Sequence, residues 1–494
     1  MSVRKSIFYS AILLTAVNLL LRFAGTAFQV YLSGRIGAAG IGLLQLVMSV
    51  GSLSMVAGMA GIRTATMYLT AEELGKGRQK NVTWILSGCF LYSILCSGSV
   101  AVLLYTFAPF LAENWIGDAS TSDALRLFAV YLPCTCLCGV MTGYFTAANR
   151  IGTLAAVEVA EQIAAMACTL SLLHFWADSN AEKSCLCVIV GSSLGAILTL
   201  CCLTVLRLLE KPPCEERIPV ARRLYQTAVP LALADNLRTG INTVENLMVP
   251  KRLALHGLVE NPLAAFGLVS GMVFPILMFP ACILFGLAEL LIPELARCAA
   301  AGSKNRISYL MHRSLKVSLL YGVLFCGLLF LLAEPLCLKL YKNVEAGGFL
   351  KLYALLIPML YCDAITDAMI KGLGQQKKSV QYNIFTSTLD VLFLYLLLPG
   401  FGMQGYFLSF TVTHAINFAL SLRRLLRITG ERIPFRIPFF SLAACLFGIW
   451  IVSHVAASGS QALLYPIVLT CMLYLLGIIG REDIRWVKSL IYQK

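Results

Sequence analysis

Residues 185–209 read CLCVIVGSSLGAILTLCCLTVLRLL, and this stretch contains a single charged side chain, Arg207. A helix needs about 20 mainly apolar residues to cross the hydrocarbon core of a bilayer. The stretch is longer than a membrane β-strand and does not alternate between polar and apolar residues, which excludes a porin-type barrel. It therefore predicts a transmembrane α-helix.

The rest of the chain has the same character. Of its 494 residues, 59% are hydrophobic and 13% are charged, whereas a soluble globular protein carries about 25% charged residues. So little charge cannot cover a large soluble enzyme, and the high apolar content excludes a disordered protein. We expect an all-α polytopic membrane protein. The apolar runs predict fourteen transmembrane helices, at residues 6–32, 41–69, 82–110, 125–148, 153–177, 185–209, 224–250, 263–293, 309–333, 350–370, 380–398, 403–422, 437–456 and 461–479.

The Lys and Arg residues between these runs predict the orientation. With a cytoplasmic N-terminus, 28 of the 39 fall on the cytoplasmic side, 8 on the outer side and 3 within spans. Cytoplasmic loops of membrane proteins carry an excess of Lys and Arg. We therefore expect both termini in the cytoplasm of a cell-membrane protein. The net charge of +14 is then a property of the cytoplasmic face, so we expect no nucleic-acid partner.

A shift of 225 residues aligns features of the first and second halves of the chain. The matches are Gly42 with Gly267, Gly61 with Gly286, Gly77 with Gly302, Pro133 with Pro358, and the loop 149–152 with 374–377. Six spans return the chain to its starting side, so this offset predicts two parallel six-helix lobes with a substrate cavity between them. We expect lobes at 1–210 and 224–426, a cytoplasmic linker at 211–223, and helices 13 and 14 with a cytoplasmic tail in 427–494.

Three arginines fall inside the predicted spans: Arg22, Arg63 and Arg238. A charge at a helix centre costs about 2.5–3.5 kcal/mol on insertion scales, so each one needs a reason. Guanidinium groups bind phosphate in a bidentate fork, and the arginines therefore predict an anion-binding cavity. The alternatives are that Arg63 reaches to the membrane interface and that Arg238 pairs with Asp235 on its own helix.

Seven acids also fall inside the predicted spans, at Glu158, Glu161, Asp235, Glu245, Asp363, Asp367 and Asp390. Glu158 with Glu161, and Asp363 with Asp367, share a helix face by their spacing. Paired carboxylates facing a cavity can hold Na⁺ or relay H⁺, or they can form structural hydrogen bonds; we weigh the two equally. Asp235 and Asp390 lie at similar depth, and Thr411 and Thr413 could add oxygen ligands for Na⁺.

Other sequence motifs narrow the function. The chain contains no G-x-x-x-x-G-K-[ST] loop, no H-E-x-x-H and no nucleotide-binding glycine fingerprint. We expect a transporter without a cofactor rather than an enzyme; a membrane-embedded glycan ligase or polymerase would need larger outer loops.

G-x-x-x-G occurs at Gly139/Gly143, Gly191/Gly195 and Gly267/Gly271, which predicts close helix packing. Prolines at 275, 280 and 358 predict helix bends.

The segments LRFAG (21–25), GAAGIGLLQL (37–46) and GMAGI (58–62) resemble the polysaccharide-exporter branch of the multidrug/oligosaccharidyl-lipid/polysaccharide (MOP) flippase superfamily. They are most similar to the stage V sporulation protein B group, relatives of the lipid II flippase. Glu161-Gln162, VENLMVPKRL (244–253) and LIP (291–293) also fit. The resemblance covers nearly the whole chain, and its motifs are helix-packing signatures.

The resemblance implies two lobes forming a V around a cationic cavity, and flipping of an undecaprenyl-diphosphate-linked saccharide to the outer leaflet. It implies that Arg22 is a cavity arginine. Because of their charge within the predicted spans, Arg63, Arg238, Glu158 and Glu161 are further cavity candidates. It also places Glu245 near the sodium site of lipid II flippases, whereas helix depth favours Asp235. We keep both with Asp390 as a candidate Na⁺ site, and count Asp363, Asp367 and Thr411 among the candidates for Na⁺ or H⁺ coupling.

Two features of the sequence leave the substrate open. The eighth helix of lipid II flippases carries an arginine, and the corresponding span here has no basic residue before its cytoplasmic end. The alternative is a cation-coupled multidrug exporter of the same superfamily; the acid that several such exporters keep in helix 1 is absent. In either case we expect a monomer that contacts its substrate and membrane lipids.

Overall fold

The computed structural model describes residues 3–75, 79–176, 181–209, 221–257, 259–432, 434, 436–455 and 460–480. Most of the predicted linker and the tail after residue 480 lie outside this range. The described residues are almost entirely helical and contain no β-strand. The sixteen α-helices of this described part are α1 Val3–Met59, α2 Ile62–Gly75, α3 Gln79–Phe110, α4 Ser122–Ala147, α5 Ile151–Phe175, α6 Ala181–Leu209, α7 Ala221–Ala254, α8 Pro262–Gly267, α9 Phe274–Met278, α10 Ala281–Ala300, α11 Lys304–Tyr341, α12 Val344–Ala354, α13 Ile357–Gly372, α14 Gln376–Thr429, α15 Arg436–Val455 and α16 Gln461–Leu475.

Length and composition identify the membrane-spanning helices. Within the described residues, eight helices are long and apolar enough to cross a bilayer, and ten if each of two bent pairs counts as one span. The bent pairs are Pro262–Met278 with Ala281–Ala299, at 62°, and Val344–Ala354 with Ile357–Gly372, at 56°. Pro280 and Pro358 lie at these bends, as predicted from the missing backbone donor of proline. The predicted all-α polytopic membrane class is confirmed.

Two of the eight helical stretches are longer than one bilayer crossing. Leu19–Leu74 has 56 residues and Gln376–Thr429 has 54; at a rise of 1.5 Å per residue such a stretch measures about 80 Å. Each is interrupted at a glycine with positive φ: Gly37 (φ 72°, ψ 177°) and Gly402 (φ 54°, ψ −134°). Only glycine adopts such backbone angles without strain. Each stretch therefore consists of successive helices that meet at a sharp break.

The two turns aligned by the offset of 225 residues have the same backbone structure. Asn149, after α4, has φ 57°, and its counterpart Gly374, after α13, has φ 76°. In both turns the N–H of the next residue donates to the carbonyl five residues earlier, at 3.0 Å. This is the left-handed cap that commonly ends helices. The offset thus relates equivalent local structures, while the lobe boundaries drawn from it stay a prediction.

The chain divides into two compact units by its contacts. The first unit contains Met1–Phe28, Arg35–Gly271 and Val391–Gly402, and the second contains Gln29–Gly34, Met272–Asp390 and Met403–Lys494. Helix α7 therefore packs within the first unit, although the predicted lobes assign it to the second. A unit defined by packing need not follow a sequence repeat.

Small residues bring the helices of the first unit into close contact. A Cβ atom added to Gly143 on α4 would lie 2.5 Å from the Arg63 carbonyl oxygen on α2. One added to Gly191 on α6 would fall onto the Thr169 hydroxyl on α5, and one added to Gly267 on α8 would fall onto the carbonyl oxygen of Ala38. The close packing predicted from the three G-x-x-x-G motifs is confirmed.

Buried tyrosines hold the second unit together. The Tyr361 hydroxyl on α13 donates to the Leu277 carbonyl at 2.9 Å, and the Tyr465 hydroxyl on α16 donates to the Val323 carbonyl on α11 at 2.9 Å. Gly327 makes room for the Tyr465 ring, because any Cβ there would overlap it. These bonds satisfy polar groups that would otherwise be costly to bury, and they fasten α16 to α11.

Candidate functional site

The first group of predicted site residues lies on α1, α2 and α5 of the first unit. Arg22 and Arg63 are exposed, and Glu158 and Glu161 are half-buried. Gly25 is three residues after Arg22, and a Cβ atom at Gly25 would lie 3.8 Å from the amide nitrogen of Gln162 on α5. Residues three apart share a helix face. The face of α1 that carries Arg22 is therefore directed toward the part of α5 that carries the two acids.

Arg63 lies in the first turn of α2, just after the break at Ala60 and Gly61, which have φ 44° and 72°. Its guanidinium is close enough to the Glu158 carboxylate to interact electrostatically. The backbone at Arg63 packs tightly on Gly143. Because the Arg63 side chain is exposed, a charge pair with Glu158 and an extension to the membrane interface both stay predictions.

Glu161 has a defined hydrogen-bond partner on α6. The Thr199 hydroxyl donates to Glu161 Oε2 at 2.6 Å. Gly195 allows the approach, because a Cβ atom there would lie 3.1 Å from the Glu161 Cγ. Sequence reasoning missed Thr199, since an isolated threonine in an apolar span carries no distinguishing signal.

Two of the predicted site residues on α7 are more exposed to the surroundings than the acids of α5. Asp235 and Arg238 are exposed, and Glu245 is half-buried. The helix is held to α1 beside Glu245, where the Thr243 hydroxyl donates to the Ser49 carbonyl at 3.1 Å and the Asn246 amide donates to Ser49 Oγ at 2.9 Å.

The second group lies in the second unit and is centred on Asp390, which is only 5% exposed. Both Ser409 and Thr413 donate their hydroxyl hydrogens to Asp390 Oδ1, at 2.5 and 3.1 Å. The Thr411 hydroxyl instead donates to the Phe407 carbonyl on its own helix, at 2.7 Å. Of the two threonines considered from the sequence, Thr413 therefore contacts the carboxylate, and Ser409, one helical turn before it, was missed.

Asp363 and Asp367 lie one turn apart on α13 and have separate partners. Asn417 donates its amide to Asp363 Oδ2 at 3.0 Å, while Asp363 Oδ1 is buried without a hydrogen-bond partner among the described residues. Asp367 forms an ion pair with Lys371 at 2.6 Å and accepts a hydrogen bond from Ser379. The charge of Asp367 is thus balanced by Lys371, whereas one oxygen of Asp363 has no hydrogen-bond donor among the described residues.

These donor sets define the chemistry available to the second group. Carboxylate and hydroxyl oxygens suit a hard cation or a proton. Within the described residues no group of three or more His, Cys, Asp or Glu side chains could hold a metal ion. The oxygens around Asp390 are of this carboxylate and hydroxyl kind.

Comparison with known proteins identifies relatives of the whole chain. The MatE family model matches residues 14–177 and again residues 230–396, together about two thirds of the sequence. Stage V sporulation protein B of Bacillus subtilis (strain 168) is 20% identical over 453 residues, covering 88% of this chain and 87% of that protein. Sporulation protein YkvU of the same organism is 20% identical over 369 residues, covering 67% of this chain and 82% of that protein.

Solved structures with the same fold include both flippases and drug transporters. The lipid II flippase MurJ in an inward closed conformation has a TM-score of 0.69 at 14% identity, covering 96% of this chain and 99% of that one. An inward-facing multidrug resistance MATE family transporter of the MOP superfamily has a TM-score of 0.66 at 14% identity, covering 86% and 100%. At such low identity these similarities show the fold.

The resemblance predicted from the helix-packing motifs is thus confirmed by the family match and by the relatives. The family match falls into two parts of similar length, each within one of the predicted lobes. Apolar helices long enough to cross a bilayer occur throughout the described residues. The chain therefore belongs to the MatE family, and it is an integral cytoplasmic-membrane protein of the MOP transporter superfamily.

Proposed function

We propose that the protein is a flippase that moves an undecaprenyl-diphosphate-linked saccharide across the cytoplasmic membrane, for cell-envelope, spore or polysaccharide biosynthesis. The main support is the pair of arginines, Arg22 and Arg63, on the helices that face the acids of α5. Two guanidinium groups within a membrane-spanning unit suit a diphosphate, which each can bind through two hydrogen bonds. The similarity to stage V sporulation protein B and to the lipid II flippase supports the same substrate class.

The proposal includes a topology of fourteen spans with both termini in the cytoplasm. The breaks at Gly37 and Gly402 divide each long stretch into two spans. Counting each bent pair as one span, and adding α7 and the short α16 to the remaining long helices, gives fourteen segments. Their order matches the fourteen apolar runs of the sequence, and the excess of Lys and Arg supports the orientation.

We further propose that transport is coupled to Na⁺ or H⁺ at Asp390, with Ser409 and Thr413 as oxygen ligands. A buried carboxylate is costly unless it is protonated or paired with a cation. Asp363, with its uncompensated buried oxygen, is a second candidate for protonation. Asp235 and Glu245 on α7 remain separate candidates for ion coupling. The proposed activity is transport by a monomer without a cofactor, not catalysis.

Replacing Thr413 by valine tests the proposed ion site. Thr413→Val keeps the shape but removes one ligand of Asp390, and losing a hydrogen bond to a charged group costs about 1.5 kcal/mol, or roughly tenfold in ion affinity. We expect the Na⁺ concentration needed for half-maximal transport to rise by about that factor. Thr411→Val is the matched control, because the Thr411 hydroxyl contacts only its own helix. Equal effects of the two substitutions would contradict the site.

The substrate is tested in a strain that lacks the gene. We expect undecaprenyl-diphosphate-linked saccharides to accumulate on the cytoplasmic side, measured by mass spectrometry of extracted lipids, and the corresponding polymer to be lost outside. Expression of the wild-type protein should reverse both changes. Unchanged lipid-linked intermediates in the deletion strain would exclude this substrate class.

A second candidate function is cation-coupled export of drugs. It is favoured by the acids Glu158 and Glu161 in the first unit and by the similarity of fold to multidrug transporters. Organic cations are attracted by acidic cavities. Broad resistance conferred on an efflux-deficient host, without any change in lipid-linked saccharides, would support this function over flipping.

A further inference from the structure

A charged cluster away from the proposed cavity joins α7 to α2. Arg223, in the first turn of α7, donates to Glu72 Oε2 at 2.7 Å and to Glu73 Oε1 at 2.9 Å. The second oxygen of Glu73 accepts a hydrogen bond from the Asn81 amide on α3 at 2.8 Å. We call these four residues the α7 clasp. Because α7 begins at Ala221, Arg223 belongs to this helix and not to the linker predicted at 211–223.

Apolar packing reinforces the α7 clasp. Leu224 and Ala228, the next inward-facing residues of α7, are buried in one core with Leu69 of α2, Val82 of α3 and Phe145 of α4. The first two turns of α7 thus dock on the helices of the first half through both ionic and apolar contacts. The basic residues around residue 76 and in the linker predict that this docking lies at the cytoplasmic end.

The burial within the α7 clasp is uneven. Glu73 is 1% exposed, whereas the side chains of Arg223 and Glu72 are about one third exposed. A buried carboxylate that loses its partner must gain water or another cation, because an unpaired buried charge is strongly unfavourable. Arg223 and Glu72 are already accessible to water. Moving Arg223 away from Glu73 therefore requires the Glu73 carboxylate to be hydrated or to be paired with another cation.

The other end of α7 is held differently. There Thr243 and Asn246 bond to Ser49, and Arg252 stacks on the Tyr395 ring at 3.6 Å. These contacts involve neutral acceptors and an aromatic face, so separating them leaves no buried charge unpaired. An alternating-access transporter opens one end at a time. The two ends of α7 therefore differ in what separation costs: a buried carboxylate is exposed at the first end, and only contacts to neutral groups are lost at the second.

We infer that the α7 clasp is a releasable closure of the predicted cytoplasmic end, in which Arg223 is a positioning residue that leaves Glu72 and Glu73 when that end opens. Opening must move the first turns of α7 off α2 and α3 and hydrate Glu73. Since the α7 clasp is separate from the proposed ion site and from Arg22, the inference holds for either substrate class.

Hydrogen–deuterium exchange of the full-length protein in lipid nanodiscs tests the closure. Arg223→Ala is expected to speed exchange about tenfold in residues 62–75 and 221–230. Arg306→Ala is the matched control, because it removes an exposed 2.5 Å ion pair with Glu294; it should leave both segments unchanged. Arg223→Lys keeps the positive charge beside Glu72 and Glu73 and should retain part of the protection. Unchanged exchange of residues 62–75 in Arg223→Ala would overturn the inference.

A zinc bridge distinguishes a closure that opens from a contact that is only structural. The double variant Glu72→His/Arg223→His, with the native Glu73, provides three ligands of the kind that bind Zn²⁺. We expect Zn²⁺ to stop transport and a chelator to restore it, measured with whichever substrate class the wild type moves. The single variant Glu72→His, which keeps the positive charge of Arg223 between the two side chains, should be insensitive to Zn²⁺. If the double variant binds Zn²⁺ and transports at an unchanged rate, the α7 clasp does not open during the cycle.

Discussion

Gly267→Ala is expected to lower the apparent melting temperature of the purified protein by several degrees. The added Cβ atom would fall onto the Ala38 carbonyl oxygen and lie 2.8 Å from the Gly42 nitrogen, and both are backbone atoms. They cannot move without displacing a helix, and overpacking of this kind costs about 1–3 kcal/mol, with each kcal/mol worth roughly 2–4 °C. The direction of the change in stability is informative, because in an isolated helix the replacement of Gly by Ala is stabilising by about 1 kcal/mol.

Gly98→Ala is the matched control for this experiment. Gly98 lies inside α3, and a Cβ atom at this position would meet nothing within 4 Å. We expect a melting temperature equal to or slightly above that of the wild type, measured by fluorescence-detected size exclusion after heating. Equal stability of the two variants would contradict the close approach of Gly267 to the stretch around Gly42.

Arg22→Ala is expected to reduce transport of the lipid-linked substrate by tenfold or more while the protein accumulates normally in the membrane. A hydrogen bond to a charged group contributes about 1.5–3 kcal/mol, so the loss of a bidentate phosphate contact corresponds to a factor of roughly 10–100. Arg22→Lys keeps the charge but not the planar fork, and should retain part of the activity. The measurement is export of the polymer in a deletion strain, normalised to the amount of protein.

Arg126→Ala is the control for the loss of a guanidinium group. Arg126 is 43% exposed and pairs with Asp123 one turn away, so its removal should leave transport unchanged. Full export by Arg22→Ala would contradict the proposed cavity. If Arg22→Ala left drug resistance intact in an efflux-deficient host, the multidrug function would be favoured instead.

Local features of the sequence predicted much of the fold. Apolar runs of about 20 residues predict membrane helices because the bilayer acts on each segment separately. Glycine spacing predicted the close contacts at Gly143, Gly191 and Gly267, because a missing side chain matters wherever another helix packs. The offset of 225 residues predicted two equivalent turns, and they have the same left-handed cap.

The side-chain partners within the candidate site were harder to predict from the sequence. Thr411 and Thr413 are equally plausible ligands by composition, but residues two apart point to different sides of a helix. Only the packing of the helix determines that Thr413 contacts Asp390. Ser409 could have been found, since it lies one turn before Thr413 on the same face, whereas Thr199 could not.

The sequence by itself determined that this chain is a helical membrane protein and which charges lie within its apolar stretches. These properties depend on short segments and on their transfer from water to lipid. Only the tertiary structure decided which of those charges meet: Glu73 with Arg223, 150 residues later, and Asp390 with two hydroxyls of the following helix. Such pairs depend on the angle and register between helices, which no local pattern encodes.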